Sequence, residues 1–261
     1  MKIAICGATG KMGLSVARLA HGDLFQIVGA IASSGSKHLG RDLGDLAGIG
    51  TIGVAVDAPV SSGLMGADVV IDFSTPDALV ALVHAAAKQG VAIVSGTTRL
   101  HAEATKALEN ASKLVPVLWA PNTSVGVHIL RELAALAAKA LGSGFDVEIV
   151  ETHHRAKVDA PSGTAGALVA AVKAARPELV ETRGRDGNVG PRANDELGVF
   201  AVRGGDVIGD HTVMFLGQGE RIEISHRATN RDLFARGALR AARFLKGKPA
   251  GMYTMADVLS P

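Results

Sequence analysis

The chain has 261 residues, of which 48% are hydrophobic, 20% charged and 3% aromatic, and its formal net charge at pH 7 is +2. At about 150 residues per domain this length predicts two folded domains, and the high apolar content with a low net charge excludes general disorder. The longest apolar stretch, residues 78–87, is about half of what a bilayer-spanning helix needs, so no membrane association is expected.

The cysteine and aromatic content excludes further classes of site. Cys6 has no partner for an internal disulfide, and no Cys/His spacing typical of structural zinc surrounds it. One Trp, one Tyr and seven Phe are too few for base stacking, and basic and acidic residues nearly balance, so nucleic acid is not expected as a partner. The N-terminal residues lack the features of a secretory signal, and we therefore expect a cytoplasmic protein.

The first half of the chain repeats one pattern, a short aliphatic run followed by a segment with helical spacing. In chain order the predicted elements are strand 2–6, helix 11–20, strands 26–32 and 69–73, helix 76–89, strand 92–95, helix 102–113 and strand 115–119. The strands are almost continuously apolar, as strands buried on both faces are. The pattern predicts an α/β fold with a Rossmann-like, doubly wound parallel sheet.

The second half changes character near Pro121, and its patterns are typical of a smaller α+β domain with an open sheet. A predicted helix at 125–141 leads into 145–152, where apolar and polar residues alternate in part. The further predicted elements are helix 164–175, a glycine-rich charged loop at 183–196, strands 197–203, 211–216 and 221–227, and a last helix at 232–245. One side of that last helix is basic, and we interpret it as a solvated face formed by Arg236, Arg240, Arg243 and Lys246.

The sharpest motif is a glycine-rich turn between the first predicted strand and the first predicted helix. It reads Gly7-Ala8-Thr9-Gly10-Lys11-Met12-Gly13. Glycines at this place allow a tight turn and a close approach to pyrophosphate, and the amides at the helix N-terminus face the anion. The turn therefore predicts a dinucleotide site; the alternative is a turn that binds nothing, with Cys6 packed in the strand beside it.

The turn after the second predicted strand bears on the choice of dinucleotide. An Asp or Glu in this region usually accepts hydrogen bonds from the adenosine ribose, whereas this chain has Ser33 and Ser34, and its next carboxylate is Asp42. Hydroxyls with Lys37 nearby tolerate a 2′-phosphate, because no carboxylate repels it. We expect NADPH to be used at least as well as NADH; the alternative is a polar turn without a cofactor role.

Two more polar turns follow the fourth and fifth predicted strands. They are Gly96-Thr97-Thr98 and Ala120-Pro121-Asn122-Thr123. Both belong to the carboxyl edge of the sheet, where ligands bind in such folds, so Thr97 and Asn122 are candidates for the nicotinamide end. Each is also an ordinary turn, and its interpretation depends on the glycine turn.

A second constellation, in residues 151–165, combines two histidines, a lysine and a predicted helix start. His153 and His154 are adjacent on an extended segment and point to opposite sides, so they do not chelate a metal together. A histidine exchanges protons near neutral pH, and Lys157 can hold a carboxylate or donate a proton. Backbone amides at 162–164 suit a second carboxylate, which predicts a small dianionic substrate. The alternative is a structural role for both histidines and a surface role for the lysine.

These segments resemble the 4-hydroxy-tetrahydrodipicolinate reductase (dihydrodipicolinate reductase) family over nearly the whole chain. The resemblance is carried by GATGKMG (7–13), IDFSTP (71–76), GTT (96–98), APNTSVG (120–126), ETHHRAKVDAPSGT (151–164) and RGGDVIGDH (203–211). It implies NADPH- or NADH-dependent reduction of 4-hydroxy-tetrahydrodipicolinate to tetrahydrodipicolinate, with loss of water, in the diaminopimelate route of lysine biosynthesis. It also implies a homotetramer joined through the sheets of the second domain.

The resemblance further implies roles for individual residues. His153 is implied to be the general acid/base and Lys157 the proton donor. The implied substrate contacts are His154, Gly163 and Thr164, and the implied cofactor contacts are Gly7, Ala8, Thr9, Gly10, Lys11, Met12, Gly96, Thr97, Thr98, Ala120, Pro121, Asn122 and Thr123. Members that favour NADH carry an acidic residue in place of Ser33, often with arginine in place of Ser34, and phenylalanine is common in place of Thr123.

Together, motifs and resemblance predict three segments. Residues 1–124 form the dinucleotide-binding domain, residues 125–231 form the substrate-binding and oligomerisation domain, and residues 232–261 return to the first domain as a C-terminal helix. Two competing functions share part of the pattern. A semialdehyde dehydrogenase needs a thiol nucleophile in its catalytic domain, whereas Cys6 belongs to the cofactor turn. A noncatalytic NADPH sensor would leave the histidines and Lys157 without a task.

Overall fold

The computed structural model describes residues 1–260. Its strands are β1 (Lys2–Cys6), β2 (Gln26–Ile31), β3 (Val56–Asp57), β4 (Val69–Asp72), β5 (Ala92–Ser95), β6 (Pro116–Trp119), β7 (Asp146–His153), β8 (Val180–Thr182), β9 (Glu196–Arg203), β10 (Gly209–Leu216), β11 (Arg221–Ala228) and β12 (Gly251–Tyr253). Its α-helices are α1 (Lys11–His21), α2 (Leu43–Ala47), α3 (Val60–Gly63), α4 (Pro76–Gln89), α5 (Ala102–Ala111), α6 (Val125–Leu141), α7 (Gly163–Ala175), α8 (Asp232–Leu245) and α9 (Met255–Leu259), and a 3₁₀ turn covers Gly142–Gly144.

The chain divides into two compact units. The first comprises residues 1–125 together with the segment from residue 232 onward, and the second comprises residues 126–231. The first unit contains a seven-stranded sheet in the order β12-β6-β5-β4-β1-β2-β3, in which every pairing is parallel. The order runs outward in both directions from the β1–β4 pair, which confirms the doubly wound α/β fold.

Both faces of this sheet are covered, because successive side chains of a strand point to opposite faces. From β1, Ile3 and Ile5 pack in a core with side chains of α1 and α8, while Ala4 and Cys6 pack in a second core with side chains of α4 and α5. Helix α4 begins as predicted, with the Thr75 side chain accepting a hydrogen bond from the Ala78 amide and proline in the first turn. The sheet is thereby packed between two layers of helices.

The second unit contains a mixed five-stranded sheet in the order β11-β10-β7-β9-β8. Strand β10 pairs antiparallel with β7 and β11, whereas β9 pairs parallel with β7 and β8. Helices α6 and α7 cover one face through a core that includes Leu130, Leu168, Ile149 and Phe215. The smaller open-sheet α+β unit expected from the sequence is confirmed.

The differences from the predicted elements lie in short segments and at element ends. Strands β3, β8 and β12 were not predicted, since two or three residues are too few to show a period. Strand β10 begins two residues earlier than predicted, at Gly209, and α5 ends at Ala111 rather than at residue 113. The basic side chains predicted to form a solvated face of α8 are exposed. Among the described residues, no helix has both the length and the apolar character that a bilayer crossing requires.

Candidate active site

Two positions of the glycine turn in the first unit, Gly7 and Gly13, leave no room for a side chain. Gly7 has φ +73°, and a Cβ there would lie 2.4 Å from the Phe73 carbonyl oxygen. A Cβ on Gly13 would lie 2.3 Å from the Gly7 carbonyl oxygen, so α1 starts in direct contact with the turn. Both clashes are with backbone atoms, which cannot rotate away. The sequence therefore brings the first turn of α1 against the end of β1 at a distance that only glycine allows.

The N-terminus of α1 has the chemistry of an anion site. Its N-cap is Gly10, which offers no side-chain cap, and the first turn carries no acidic residue. The backbone amides there are consequently not engaged by a side chain, and the helix dipole favours negative charge. Lys11 is exposed beside them. This cradle fits the pyrophosphate of a dinucleotide.

The other predicted cofactor residues differ in exposure. Ser33, Ser34 and Lys37 are exposed, as are Thr98 and Pro121. Thr9, Met12, Gly96 and Asn122 are half-buried, whereas Ala8, Thr97, Ala120 and Thr123 are buried. The Ala8 amide donates to the Ile31 carbonyl, and the Thr123 hydroxyl donates to the Phe234 carbonyl at 2.7 Å. Thr123 therefore anchors the start of α8, and its own hydroxyl is already engaged.

A buried carboxylate lies at the carboxyl end of β4. Asp72 is 0% exposed, and its oxygens accept hydrogen bonds from the hydroxyls of Ser74, Ser95 and Thr97 at 2.5, 2.7 and 2.7 Å. The Ser74 amide donates to Asp72 and to the Thr97 hydroxyl. Asp72 thus fixes the turns that follow β4 and β5, and it sets the position of the Gly96-Thr97-Thr98 turn.

Cys6 lies next to Asp72 across the β1–β4 pairing and has no features of a nucleophile. Burial, with a smaller contribution from the charge of Asp72, raises the pKa of the Cys6 thiol to about 12. The thiol is therefore protonated at neutral pH and enclosed in the core. A semialdehyde dehydrogenase requires a reactive thiolate, and the one cysteine of this chain does not supply it.

In the second unit, the polar centre is built around Glu151, near the end of β7. The carboxylate is 0% exposed and accepts from the Arg203 guanidinium at 2.8 Å on each oxygen. It also accepts from the Ser162 amide at 3.0 Å and contacts the His153 Nδ1 atom at 2.5 Å. Burial alone would raise the pKa of Glu151, but hydrogen bonds from Arg203, His153 and the Ser162 amide outweigh it and lower the pKa. Glu151 is ionised at neutral pH.

A second buried imidazole stands against the first. The His153 and His211 rings meet edge to face with centroids 5.1 Å apart, and His211 Nε2 lies 3.2 Å from the Ser162 hydroxyl. The Nδ1 atom of His211 is buried and has no hydrogen-bond partner in residues 1–260. Burial, followed by the neighbouring charge on His153, lowers the pKa of His211 to about 4. His211 is therefore neutral at pH 7.

His154 and Lys157 occupy the turn that follows β7. His154 is half-buried, and its Nε2 atom lies 3.5 Å from an Arg231 nitrogen. The two adjacent histidines thus have different partners, as the extended geometry predicts. The Lys157 ammonium group is paired with Asp159 at 2.8 Å, and the lysine side chain is 19% exposed. A substrate carboxylate would have to take the place of Asp159 or share the ammonium group with it.

The N-terminus of α7 completes the arrangement. The Ser162 hydroxyl caps the helix by accepting from the Ala165 amide at 3.1 Å, and the first turn of α7 contains no acidic residue. Gly163 is exposed, and a Cβ there would meet nothing within 4 Å. The start of α7 therefore combines a helix N-terminus with open space at Gly163, which suits a carboxylate, while the Ser162 amide is engaged by Glu151. Within residues 1–260 no group of three His, Cys, Asp or Glu side chains is placed to hold a metal ion.

Sequence reasoning assigned no role to Glu151, Arg203, His211 or Asp72. Glu151 and Arg203 are 52 residues apart in the chain, and His211 meets Ser162 across 49 residues. Spacing along the sequence carries no signal for such pairs. A weak signal did exist for Asp72, which ends an otherwise apolar strand. A buried charge seldom lacks a partner, so this pattern indicates that other polar groups lie nearby.

Comparison with known proteins assigns the chain to a family. The dihydrodipicolinate reductase N-terminal profile matches residues 1–123, and the corresponding C-terminal profile matches residues 126–259. A 4-hydroxy-tetrahydrodipicolinate reductase from Anaeromyxobacter sp. (strain Fw109-5) is 49% identical over 99% of this chain and 97% of its own length. Another, from Methanopyrus kandleri, is 48% identical over 98% and 96%.

A solved structure shares the fold. The dipicolinate-bound dihydrodipicolinate reductase from Paenisporosarcina sp. TG-14 superposes with a TM-score of 0.78 at 22% identity, over 100% of this chain and 99% of that one. The curated relatives match 98–99% of this chain and so extend over both units. The chain therefore belongs to the dihydrodipicolinate reductase family of oxidoreductases.

Proposed function

We propose that this chain reduces 4-hydroxy-tetrahydrodipicolinate to tetrahydrodipicolinate, with loss of water, at the expense of NADPH or NADH. The observation that carries the proposal is identity of 49% over 99% of the chain with a relative of that name, across both units. The reaction belongs to the diaminopimelate route of lysine biosynthesis. As a biosynthetic enzyme of this route, the protein is assigned to the cytoplasm.

The first unit is proposed to hold the reduced nicotinamide cofactor, which supplies a hydride when bound. The amides at the start of α1 would hold the pyrophosphate, with residues 7–12 along the turn. Ser33 and Ser34 would face the adenosine ribose, where their exposure and the nearby Lys37 leave room for a 2′-phosphate. The turns 96–98 and 120–123 would border the nicotinamide end. NADPH is expected to be used at least as well as NADH, because no carboxylate stands at Ser33.

The second unit is proposed to hold the dicarboxylate. One substrate carboxylate would bind the amides of Gly163 and Thr164 at the start of α7, and the other would bind Lys157 with help from His154. Lys157 is suited to this because its ammonium group already holds a carboxylate, that of Asp159. Two fixed contacts at separate carboxylates orient the ring, and orientation is a large part of what a hydride transfer requires.

His153 is proposed to be the general acid/base and Lys157 the proton donor. The contact of His153 with Glu151 occupies the Nδ1 atom of the ring. Nε2 is therefore the ring nitrogen of His153 that remains for proton exchange with a substrate. His154 then acts on binding rather than on proton transfer, because its ring lies on the other side of the segment. His153→Ala should lower kcat by roughly 10²- to 10⁴-fold, and His154→Ala should mainly raise KM for the dicarboxylate.

The outer face of the second sheet supports a homotetramer. Helices α6 and α7 cover one face, and the opposite face carries partly exposed apolar side chains, among them Val150, Phe200, Val202 and Met214. Such a face is normally covered in a stable assembly. Sedimentation of the purified protein should give four times the mass of one chain, and a monomer at micromolar concentration would contradict the assembly.

The direct test is a reductase assay with enzymatically generated substrate. Loss of reduced-nicotinamide absorbance should depend on the dicarboxylate and proceed with both NADPH and NADH. Aspartate semialdehyde alone serves as the control, since it offers a carbonyl without the ring. Oxidation of the cofactor at the same rate with and without the cyclic substrate would refute the proposed reaction.

A further inference from the structure

Glu151 is a fully buried carboxylate of the second unit that the proposed reaction does not use. A carboxylate with no exposed surface is costly unless hydrogen bonds replace the lost water. Both of its oxygens are engaged, by two nitrogens of Arg203, one ring nitrogen of His153 and one backbone amide. This closed network ties two strands, β7 and β9, to the start of α7.

The partners of Glu151 belong to three different segments. Arg203 ends β9, His153 ends β7, and the amide is that of Ser162 at the N-cap of α7. Two of these segments carry groups that the proposed function brings to the substrate, namely the imidazole and the 162–164 turn. A purely structural ion pair would not need to meet both of them through one carboxylate.

We propose that Glu151 is the positioning residue of the active site, which holds His153 in the tautomer and orientation for proton exchange at Nε2 and fixes the anion-binding turn of α7. The inference rests on the proposed function, in which His153 is the acid/base. Arg203 takes part by donating to both carboxylate oxygens, one of which, Oε2, is also the oxygen in contact with His153. Glu151 touches neither substrate nor cofactor.

The chemistry follows from where the proton sits. A carboxylate only accepts, so the neutral His153 ring must donate its Nδ1 hydrogen to Glu151, which leaves the lone pair on Nε2. When Nε2 takes a proton, the negative carboxylate stabilises the imidazolium. The same arrangement therefore serves both directions of the proton transfer.

The groups around the His153 ring are consistent with this role. His211 packs on its edge and is neutral at pH 7, so it adds no repulsion to an imidazolium. The positive charge of Arg203 is matched by Glu151. Gly209 leaves room for the ring, because a Cβ there would lie 2.9 Å from His153 Nε2. Lys157, which follows His153 in the next turn, is paired with Asp159.

Glu151→Gln is the sharpest perturbation, because it keeps the size of the side chain. The amide retains one acceptor oxygen but places an NH₂ group against either Nδ1 of His153 or the Ser162 amide, and against Arg203 in both cases. Arg203 then lies unmatched beside the ring. We expect kcat to fall about 10- to 100-fold, with NADPH affinity unchanged. In the pH profile, the activity that needs the imidazolium should disappear at a lower pH in the variant than in the wild type. Glu151→Asp should restore part of kcat.

A matched control lies in the same strand. Glu148 is also buried and is clamped by Arg185 and Arg192, but it belongs to the opposite face of β7. Glu148→Gln therefore breaks a similar ion-pair network without approaching His153. Melting temperature and sedimentation of both variants separate loss of folding or assembly from loss of turnover. If Glu148→Gln lowered kcat and moved the pH profile as Glu151→Gln does, the positioning role would be overturned.

The double variant decides whether Glu151 acts through His153. If it does, adding Glu151→Gln to His153→Ala should reduce kcat no further than His153→Ala alone. Independent, multiplying losses would overturn the positioning role, as would a Glu151→Gln enzyme with wild-type kcat and pH profile. If His153→Ala itself kept full activity, both the acid/base role of His153 and the positioning role of Glu151 would be refuted. A damaging His153→Ala with a silent Glu151→Gln would refute positioning alone.

Discussion

His211 is a fully enclosed histidine, and replacing it with glutamine is expected to flatten the pH dependence of the stability of the second unit. Its ring has 3% exposure, one hydrogen-bonding nitrogen facing the Ser162 hydroxyl and one buried nitrogen without a partner. The amide of glutamine can keep a hydrogen bond to Ser162, but it cannot take up a proton. The substitution therefore removes a titrating group and keeps the main polar contact.

The magnitude follows from the pKa of His211, which burial lowers from 6.5 to about 4. Between these values the unfolded chain binds a proton that the folded chain refuses, so the free energy of unfolding decreases as the pH falls. The loss begins near pH 6.5 and is complete near pH 4. At about 1.4 kcal/mol for each pKa unit, the full effect is about 3 kcal/mol, and it is absent above neutral pH.

The assay is urea unfolding of wild type and His211→Gln in steps between pH 7.5 and 4.5. Far-UV circular dichroism is the appropriate signal, because the single tryptophan, Trp119, belongs to the first unit. The wild type should lose about 2 to 3 kcal/mol more than the variant across this range. His84→Gln, at an exposed histidine of α4, controls for the substitution itself. Parallel stability curves for wild type and His211→Gln would refute the reasoning.

Three further outcomes are expected from the proposed sites. Gly13→Ala should weaken NADPH binding measured by calorimetry, because its Cβ would lie 2.3 Å from the Gly7 carbonyl, whereas Gly22→Ala at the other end of α1 should bind normally. Lys157→Ala should raise KM for the dicarboxylate, because the lost contact contributes roughly 1.5 to 3 kcal/mol of binding free energy, and should leave NADPH affinity unchanged. Equal weakening of dicarboxylate and NADPH binding would contradict this prediction. Ser33→Glu should shift the kcat/KM ratio toward NADH, and an unshifted ratio would exclude Ser33 from the ribose site.

The architecture was predictable where the sequence repeats a pattern long enough to read. Continuous apolar runs such as residues 2–6 are typical of strands buried on both faces, and Thr75 with the following proline indicated where α4 begins. Strands of two or three residues gave no such signal. Strand β12, for instance, pairs with β6 through Gly251, Met252 and Tyr253, and its place at the sheet edge depends on α8 having returned the chain to the first unit.

The candidate site was predictable only where its residues are neighbours in the chain. The segment from Glu151 to Thr164 contains two histidines, a lysine and a helix start close together in the chain, so a proton-exchange and carboxylate-binding site could be hypothesised from it. The partners that orient these groups come from β9 and β10. Arg203 and His211 reach the centre only because β7 lies between those two strands in the sheet. Strand order is a long-range property that the spacing of residues does not contain.

The two units use the same physical device at their proposed binding turns. Asp72 ends β4 and Glu151 lies near the end of β7; both are fully buried, and each accepts hydrogen bonds from groups outside its own strand. Because an unmatched buried carboxylate or donor is costly, none of these segments can shift alone without breaking a bond that water cannot replace. The turns at 96–98 and 162–164 are thereby held in place before any ligand arrives. Substrate binding then does not have to supply the free energy for ordering them, which leaves more of it for orienting the reacting atoms.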